Sequence, residues 1–201
     1  MLEKVISVRG PNSRKKLLKF GIPCPKNYGD PLILMPCIYD RKTKIEENVV
    51  GIIPHYIDKN NSNFRLLIEN LKDSGFEVKI IDIEINDNYE KLIDEINMCK
   101  YMISSSLHGV IMGVVYQKKT IFVEFSTNVL GGTFKFQDFF GSIAINYKNI
   151  NIYDKALLEN VIPVNYQILQ NVGIKLISLI PFINQERKKE LQKKYQDFYN
   201  F

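Results

Sequence analysis

The chain has 201 residues, of which 45% are hydrophobic and 24% are charged, and its formal net charge is +5. This length suggests one domain or one and a half, and the composition is that of a globular protein rather than a disordered or fibrous one. The mild positive charge is compatible with an anionic substrate or a membrane surface. It is too small to indicate a nucleic-acid partner, and no stripe of interleaved aromatic and basic residues suggests one.

The pattern of the first 48 residues predicts a short N-terminal region with a strand, a helix, a loop and a linker. Val5 to Val8 has the composition of a short buried strand, and Asn12 or Ser13 can cap a helix over about residues 14–20. Residues 22–36 are rich in proline and glycine, which predicts a loop, and the charged residues 40–48 are typical of a linker.

From residue 48 onwards, strand patterns alternate with helix patterns. The predicted strands cover residues 49–53, 78–83, 101–104 and 120–125. The predicted helices between them cover residues 63–74, 89–98 and 108–116. This alternation predicts βαβ units and therefore an α/β fold with a parallel, Rossmann-like sheet and right-handed crossovers.

After residue 147 the pattern becomes helical, with predicted helices over residues 154–161, 166–180 and 185–199. Residues 174–183 are apolar and residues 187–194 are basic. One interpretation is an interfacial helix at a membrane surface. We favour the other, a helix that packs on its own domain, because surface helices usually bury their apolar stripe in this way.

Polar residues follow the predicted strands. Because ligands bind outside the carboxyl ends of parallel strands, His55, Ser104 to His108 and Glu124 to Asn128 are expected at one edge of the sheet. His55 is either a second imidazole in a cleft or a loop residue that packs on Tyr56, and its sequence position favours neither.

His108 lies where the third strand is expected to turn into a helix, with Ser106 as the N-cap. In the functional interpretation, the N–H groups of the first turn bind a phosphate or carboxylate while His108 transfers a proton. In the structural interpretation, the helix is simply capped and the histidine is half-buried and bonded to the backbone.

Two other segments carry cations. Arg9 follows the first predicted strand, where it could clamp an anion with two hydrogen bonds or be a solvated turn residue. Gly131 and Gly132 could form a backbone nest for an anion, with Lys135 adding a charge. A half-buried strand with Lys135 on its open face explains that segment equally well. Asp138 is expected to cap the following helix or hold a cation in place.

The three cysteines, whose number is odd, form no CxxC pair; they are Cys24, Cys37 and Cys99. This argues against a zinc site or a disulfide framework and favours a reducing compartment. No secretory signal opens the sequence, and no apolar run is long enough to span a bilayer. We expect a cytoplasmic location, with peripheral contact at the inner face of the membrane as a further option, and no metal site.

The ordered set of these motifs resembles the polysaccharide pyruvyl transferase family. The resemblance covers roughly residues 5–145 and is carried by Val8-Arg9-Gly10-Pro11, Gly29-Asp30-Pro31, Ile53-Pro54-His55-Tyr56, Ser104-Ser105-Ser106-Leu107-His108-Gly109 and Gly131 to Asp138. No single motif is specific to this family, but the order of the motifs along the chain is.

The resemblance implies the C-terminal half of a glycosyltransferase-B-like fold. Residues 1–45 would then be a remnant of the N-terminal domain and a linker, residues 46–153 the Rossmann-like domain, and residues 154–201 the C-terminal helices. The family usually has a whole N-terminal domain, so an upstream N-terminal half is an expected partner and the chain alone could be inactive.

The resemblance also implies an activity. Relatives transfer pyruvate from phosphoenolpyruvate, without a cofactor, to hydroxyls of a sugar or lipid-linked oligosaccharide in surface polysaccharide biosynthesis. Their phosphoenolpyruvate-binding motifs map onto Arg9 and His108. Many relatives have arginine where this chain has Ser106, and Lys135 is expected to replace that cation.

We expect His108, and second His55, to act in acid–base catalysis. The expected substrate-binding residues are Arg9, Ser105, Ser106, Leu107, Gly131, Gly132 and Lys135. Two alternatives stay open: a nucleotide-sugar-dependent glycosyltransferase domain on the same fold, and an inactive half-molecule that acts as a binding module.

Overall fold

The computed structural model describes residues 4–40, 43–83, 88–128 and 130–200. These residues form seven α-helices and four β-strands, which we number in chain order. The elements are α1 (Pro11–Lys19), β1 (Glu46–Ile53), α2 (Ser62–Asp73), β2 (Glu77–Ile80), α3 (Tyr89–Met98), β3 (Cys99–Ser104), α4 (Leu107–Val115), β4 (Lys119–Phe122), α5 (Phe134–Ser142), α6 (Tyr166–Leu179) and α7 (Gln185–Tyr199). Short 3₁₀ helices cover Pro31–Cys37, Tyr56–Asp58 and Leu157–Glu159.

The four strands form one parallel sheet in the order β2-β1-β3-β4. The predicted α/β fold is therefore confirmed. The chain moves from β1 outwards to β2 and then returns to the other side of β1 to form β3. The strand order thus reverses between β1 and β3, and in open α/β sheets such a reversal marks the usual ligand crevice at the carboxyl ends of the strands.

The chain forms two compact units. The first comprises residues 1–40, 133–147 and 163–201, and the second comprises residues 41–132 and 148–162. The second unit contains the whole sheet with α2, α3 and α4, whereas the first contains α1, α5, α6 and α7. The three-part domain division expected from the sequence stays a prediction.

The second unit is built around β1, whose second half is buried on both faces. In β1, all five residues from Val49 to Ile53 are buried, as expected for a central parallel strand. Helix α4 lies directly on the sheet: a Cβ added to Gly109 would lie 2.7 Å from Ile53 Cγ2, and one added to Gly113 would lie 2.6 Å from Thr120 Oγ1. Larger residues at these two positions would force α4 away from the strand ends.

The first unit is a set of packed helices. A Cβ added to Gly173 in α6 would overlap the ring of Tyr195 in α7, so the two helices approach closely there. Tyr195 and Phe198 of α7 are buried. The terminal helix therefore packs its apolar stripe within its own unit, as favoured from the sequence. Of the helices in the described ranges, none combines the length and the apolar character needed to cross a bilayer.

Three local predictions at the N-terminal side were wrong. Val8 makes only an isolated bridge to Tyr28, and Ile6 is largely exposed, so no buried strand forms there. Helix α1 begins at Pro11 rather than near residue 14, because its cap comes from elsewhere in the chain. The segment expected to be a linker already enters β1 at Glu46.

Two interpretations farther along the chain are corrected. The half-buried strand, one of the two interpretations of the segment from Gly131, does not form: the segment is a turn followed by helix α5, because Phe136, Phe139 and Phe140 are buried at helical spacing. The helix expected over residues 154–161 is reduced to the 3₁₀ turn Leu157–Glu159. By contrast, the predicted bounds of α7 agree with the structure.

Candidate functional site

The loops after β1 and β3 are tied together at the point where the strand order reverses. His55 follows β1 after the buried Pro54, and its backbone N–H donates to Ser105 Oγ at 2.9 Å. Ser104, the last residue of β3, donates from its hydroxyl to the Ile53 carbonyl at 2.7 Å. Both serines are buried. The structure therefore brings the predicted residues His55 and Ser105 together at the carboxyl edge of the sheet.

A buried aspartate that sequence reasoning missed organises this edge. Asp58 has no exposed surface, and its Oδ2 accepts from Ser105 Oγ at 2.7 Å. Its Oδ1 accepts from Ser126 Oγ, also at 2.7 Å. Within the described ranges no lysine, arginine or histidine forms an ion pair with Asp58, so the two hydroxyls are its side-chain partners. The carboxylate thereby joins loops that follow β1, β3 and β4.

The N-terminus of α4 has no side-chain cap. Ser106 occupies the N-cap position, as predicted, but its side chain makes no capping hydrogen bond. Its own N–H donates to Ser104 Oγ at 3.0 Å. The N–H groups at the start of the helix, on Leu107 and the residues after it, are thus not capped by the serine and can receive an anion.

His108 is the exposed residue of an otherwise buried helix. Every other residue of α4 is buried, while the imidazole lies in the first helical turn and faces solvent. The half-buried histidine of the structural interpretation is therefore not what the structure shows. An exposed imidazole beside uncapped N–H groups can donate or accept a proton next to a bound anion.

The imidazole of His55 contacts the backbone and a neighbouring aromatic ring. Its Nδ1 accepts the Ile57 N–H at 3.4 Å, and its ring lies 4.5 Å from that of Tyr56, centroid to centroid. The predicted packing on Tyr56 is therefore present. Only the backbone N–H of His55 is seen to contact Ser105. A role for His55 in catalysis stays a prediction.

Glu124 follows β4 at the same edge of the sheet. Partial burial, and then the negative charge of Asp58, raises the pKa of the Glu124 carboxyl. Asn149 Nδ2 donates to its Oε2 at 2.6 Å. A carboxyl group with a raised pKa beside a ligand crevice is a candidate for proton transfer or for binding hydroxyl groups.

In the first unit, Arg9 is held by Asp138. The Arg9 Nε lies 3.6 Å from Asp138 Oδ2, and the arginine side chain is 30% exposed. Asp138 Oδ1 also accepts the N–H groups of Asn12 at 2.8 Å and Ser13 at 3.0 Å, and Oδ2 accepts the Ser13 hydroxyl. Asp138 therefore caps α1 from inside α5, which combines the capping and cation-holding roles predicted for it but corrects the helix it caps.

This contact explains the Arg9-Gly10-Pro11 segment. A Cβ added to Gly10 would overlap the Asp138 backbone, and Pro11 occupies the first helical position. Proline is favoured at that position because the missing N–H has no helical acceptor there. The segment thus orients the Arg9 guanidinium; its role in substrate binding stays a prediction.

The turn at Gly131 and Gly132 gives weaker evidence for a binding site than the strand-end loops do. Gly131 and Gly132 have φ angles of +81° and +47°, which favour glycine, but an added Cβ would meet nothing within 4 Å at either position. The turn is exposed, and Gly131 and Gly132 belong to the second unit. Lys135 lies on α5 in the first unit, with its Nζ 5.4 Å from the centroid of the Phe136 ring. Substrate binding by these three residues stays a prediction.

No metal centre is evident: the described residues contain no group of three or more His, Cys, Asp or Glu side chains placed to hold an ion. The thiols of Cys24, Cys37 and Cys99 are free.

Comparisons with known proteins place these residues in a family context. Residues 2–127 match the sequence model described as Polysaccharide pyruvyl transferase, a stretch that contains Arg9, His55 and His108 and ends before Gly131. Uncharacterized protein L143 of Acanthamoeba polyphaga mimivirus is 31% identical over 135 residues. That alignment covers 66% of this chain but 45% of the viral protein, so the chain spans about half the length of this relative. No solved structure matches significantly.

Proposed function

The chain belongs to the polysaccharide pyruvyl transferase family, and from this premise we propose that it transfers pyruvate from phosphoenolpyruvate to hydroxyls of a sugar in surface polysaccharide biosynthesis. The observation that best supports this proposal is the exposed His108 beside the uncapped N-terminus of α4, at the reversal of strand order. An anion seated on this helix end would have a proton donor next to it.

The proposed reaction balances without a redox partner or a cofactor. A general acid protonates the methylene carbon of phosphoenolpyruvate, which places positive charge on C2. One sugar hydroxyl adds to C2, phosphate leaves, and a second hydroxyl closes the ketal. Of the two hydroxyl protons, one regenerates the acid and the other leaves with phosphate as hydrogen phosphate.

His108 is the proposed acid, because its imidazole is exposed and lies in the first turn of α4. The first-turn N–H groups, positioned by Ser105, Ser106 and Leu107, would hold the phosphate as negative charge grows on it. Arg9 is proposed as a further substrate-binding residue of the first unit, where the Asp138 carboxylate lies beside its guanidinium. Gly131, Gly132 and Lys135 are proposed as additional anion-binding residues.

We further propose a cytoplasmic location, with peripheral contact at the inner face of the membrane as a further option. The free thiols fit a reducing compartment. The acceptor proposed here is a sugar or a lipid-linked oligosaccharide. Because the chain spans about half of its viral relative, a separate N-terminal half is a proposed partner.

The test compares wild type with His108→Ala and His108→Gln. Phosphate release from phosphoenolpyruvate is followed with a lipid-linked oligosaccharide acceptor, for the chain alone and with a family N-terminal half added. Both variants should lose about 10²–10⁴ in rate, the usual contribution of general acid–base catalysis. His55→Ala is the matched imidazole control and should lose less.

Near-normal turnover of His108→Ala would exclude the proposed role. A thermal-shift comparison with a uridine diphosphate sugar separates the main alternative, because stronger stabilisation by the nucleotide sugar than by phosphoenolpyruvate would indicate a glycosyltransferase domain.

A further inference from the structure

A groove of about 620 Å³ runs along helix α2 in the second unit. One wall is the helix face that carries Leu67, Asn70, Leu71 and Ser74, which recur at helical spacing. The other wall is the segment 152–159, which returns to this unit after the excursion of the chain into the first. The volume lies within the range typical of ligand pockets, about 300–1,000 Å³.

One end of the groove lies at the carboxyl edge of the sheet. Tyr153, which lines the groove, donates from its hydroxyl to Asn63 Oδ1 at 3.0 Å. Asn63, in the first turn of α2, donates from Nδ2 to the Phe125 carbonyl just after β4 at 3.1 Å. Because α2 starts at this edge and ends at Asp73, the groove leads away from the edge that carries His108.

The lining of the groove is both apolar and hydrogen-bonding. Leu71 and Leu157 are buried in its floor. The side chains of Asn70, Asp73 and Glu159 line it and make no hydrogen bond or ion pair with any part of the chain that the structure describes. The ring of Tyr153 is 59% exposed. Free amide and carboxylate groups beside an exposed aromatic ring suit a ligand that presents hydroxyl groups and C–H faces together.

The charge of the lining argues against an anionic ligand. Asp73, Asp154 and Glu159 face a single cation, Lys155, among the residues that line the groove. Phosphate or a nucleotide would be repelled by this excess of carboxylates. A long apolar ligand would leave the polar rim desolvated and unpaired, which is costly. A chain of neutral sugars carries no charge that the carboxylates would repel, and its hydroxyl groups can form hydrogen bonds with the polar rim.

We propose that this groove binds neutral sugar residues of a glycan chain. If the proposed function holds, on which this identification of the ligand rests, these are the residues of the acceptor that extend beyond the sugar receiving pyruvate. The transferase then holds its acceptor in two places, at the carboxyl edge and along α2.

The test is a titration of the ¹⁵N-labelled full chain with monosaccharides and with tetrasaccharides of glucose, galactose, mannose or N-acetylglucosamine. We expect at least one tetrasaccharide to shift the amides of α2 and of residues 152–159 and to bind about tenfold more tightly than its monosaccharide. Tyr153→Ala should weaken binding about three- to tenfold, the usual value of one aromatic contact. Asn70→Ala should also weaken it.

Two matched controls accompany these variants. Tyr89→Ala removes a comparably exposed tyrosine on α3, and Glu69→Ala changes the neighbour of Asn70 on α2; neither residue lines the groove. Both should leave saccharide binding unchanged. The proposal is overturned if no tetrasaccharide shifts the groove amides, if shifts appear elsewhere only, or if the controls weaken binding as much as the groove variants.

A parallel titration with phosphoenolpyruvate separates this inference from the proposed function. Shifts at Ser105 to His108 without saccharide binding would overturn the groove proposal and leave the donor site standing. Saccharide shifts along α2 without any effect of phosphoenolpyruvate would support the groove and count against the proposed transfer reaction.

Discussion

Replacing Asp58 with alanine tests whether the buried carboxylate holds the strand-end loops together. In this variant the hydroxyls of Ser105 and Ser126 lose their acceptor. Ser105 is buried, so its stranded O–H costs about 1–3 kcal/mol. Ser126 is half-buried and can turn to water, so its loss is about 0.5–1.5 kcal/mol. The variant should therefore be destabilised by about 1.5–4.5 kcal/mol.

Urea unfolding of three variants measures this value. Asp58→Asn keeps one carbonyl acceptor and the shape of the side chain, so it should cost about 1 kcal/mol. Ser126→Ala leaves the buried Asp58 Oδ1 without its hydroxyl donor and should cost about 1–3 kcal/mol. If the free energy of unfolding of Asp58→Ala lies within about 0.5 kcal/mol of wild type, the carboxylate does not hold these loops. If Ser126→Ala lowers the free energy of unfolding as much as Asp58→Ala does, the hydrogen bond from Ser105 contributes nothing measurable, which would also refute the reasoning.

Further predictions concern both units. Gly10→Ala should destabilise the chain by about 3 kcal/mol or more, because its Cβ overlaps the Asp138 backbone; urea unfolding near wild-type values would contradict this. The pKa of Glu124, raised above its usual 4.5 by burial and by Asp58, should fall in Asp58→Asn when followed by NMR titration, and an unchanged midpoint would exclude the coupling. Because the folded state binds this proton more tightly than the unfolded state, the contribution of Glu124 to stability is present below pH 4.5 and is lost as the pH rises through its raised pKa. Glu124→Gln should remove that part of the pH dependence. Burial raises the pKa of the Cys37 thiol to about 11, so iodoacetamide should label it about a hundredfold more slowly than free cysteine at neutral pH; labelling at the rate of a free thiol, measured by mass spectrometry, would refute this.

Local signals were sufficient for much of the fold. Helix α7 was predicted over 185–199 as a basic terminal helix, and the structure gives it the same bounds. Its cap is also local, because Asn184 Oδ1 accepts the Arg187 N–H. The strand end at Ser104 and the N-cap position of Ser106 were likewise predicted from neighbouring residues. In each case the chemistry that sets the element lies within a few positions of it.

Contacts between distant residues could not be predicted in this way. Asp58 meets Ser105 across 47 positions and Ser126 across 68, and only the strand order brings their loops together. The cap of α1 comes from Asp138, 126 positions beyond Asn12. Nothing beside these residues in the sequence indicates which distant residues they contact.

The strand interpretation of the segment after Thr133 was wrong for a different reason. Phe134 and Phe136 alternate with Lys135, which is the period of a strand, whereas Phe136, Phe139 and Phe140 follow the period of a helix. A window this short supports both periods. Burial of the second set in the first unit decides between them.

The interleaving of the two units has a consequence for synthesis on the ribosome. Residues 41–132, which hold every strand, emerge as one uninterrupted stretch and can pair before the chain is finished. The first 40 residues cannot complete their packing at that stage, because the Cys37 thiol donates to the Leu191 carbonyl, which lies 154 positions later. Until residues 185–199 have been made, Ile33, which is fully buried in the folded protein, stays exposed, so the nascent chain presents an apolar segment that a chaperone can bind.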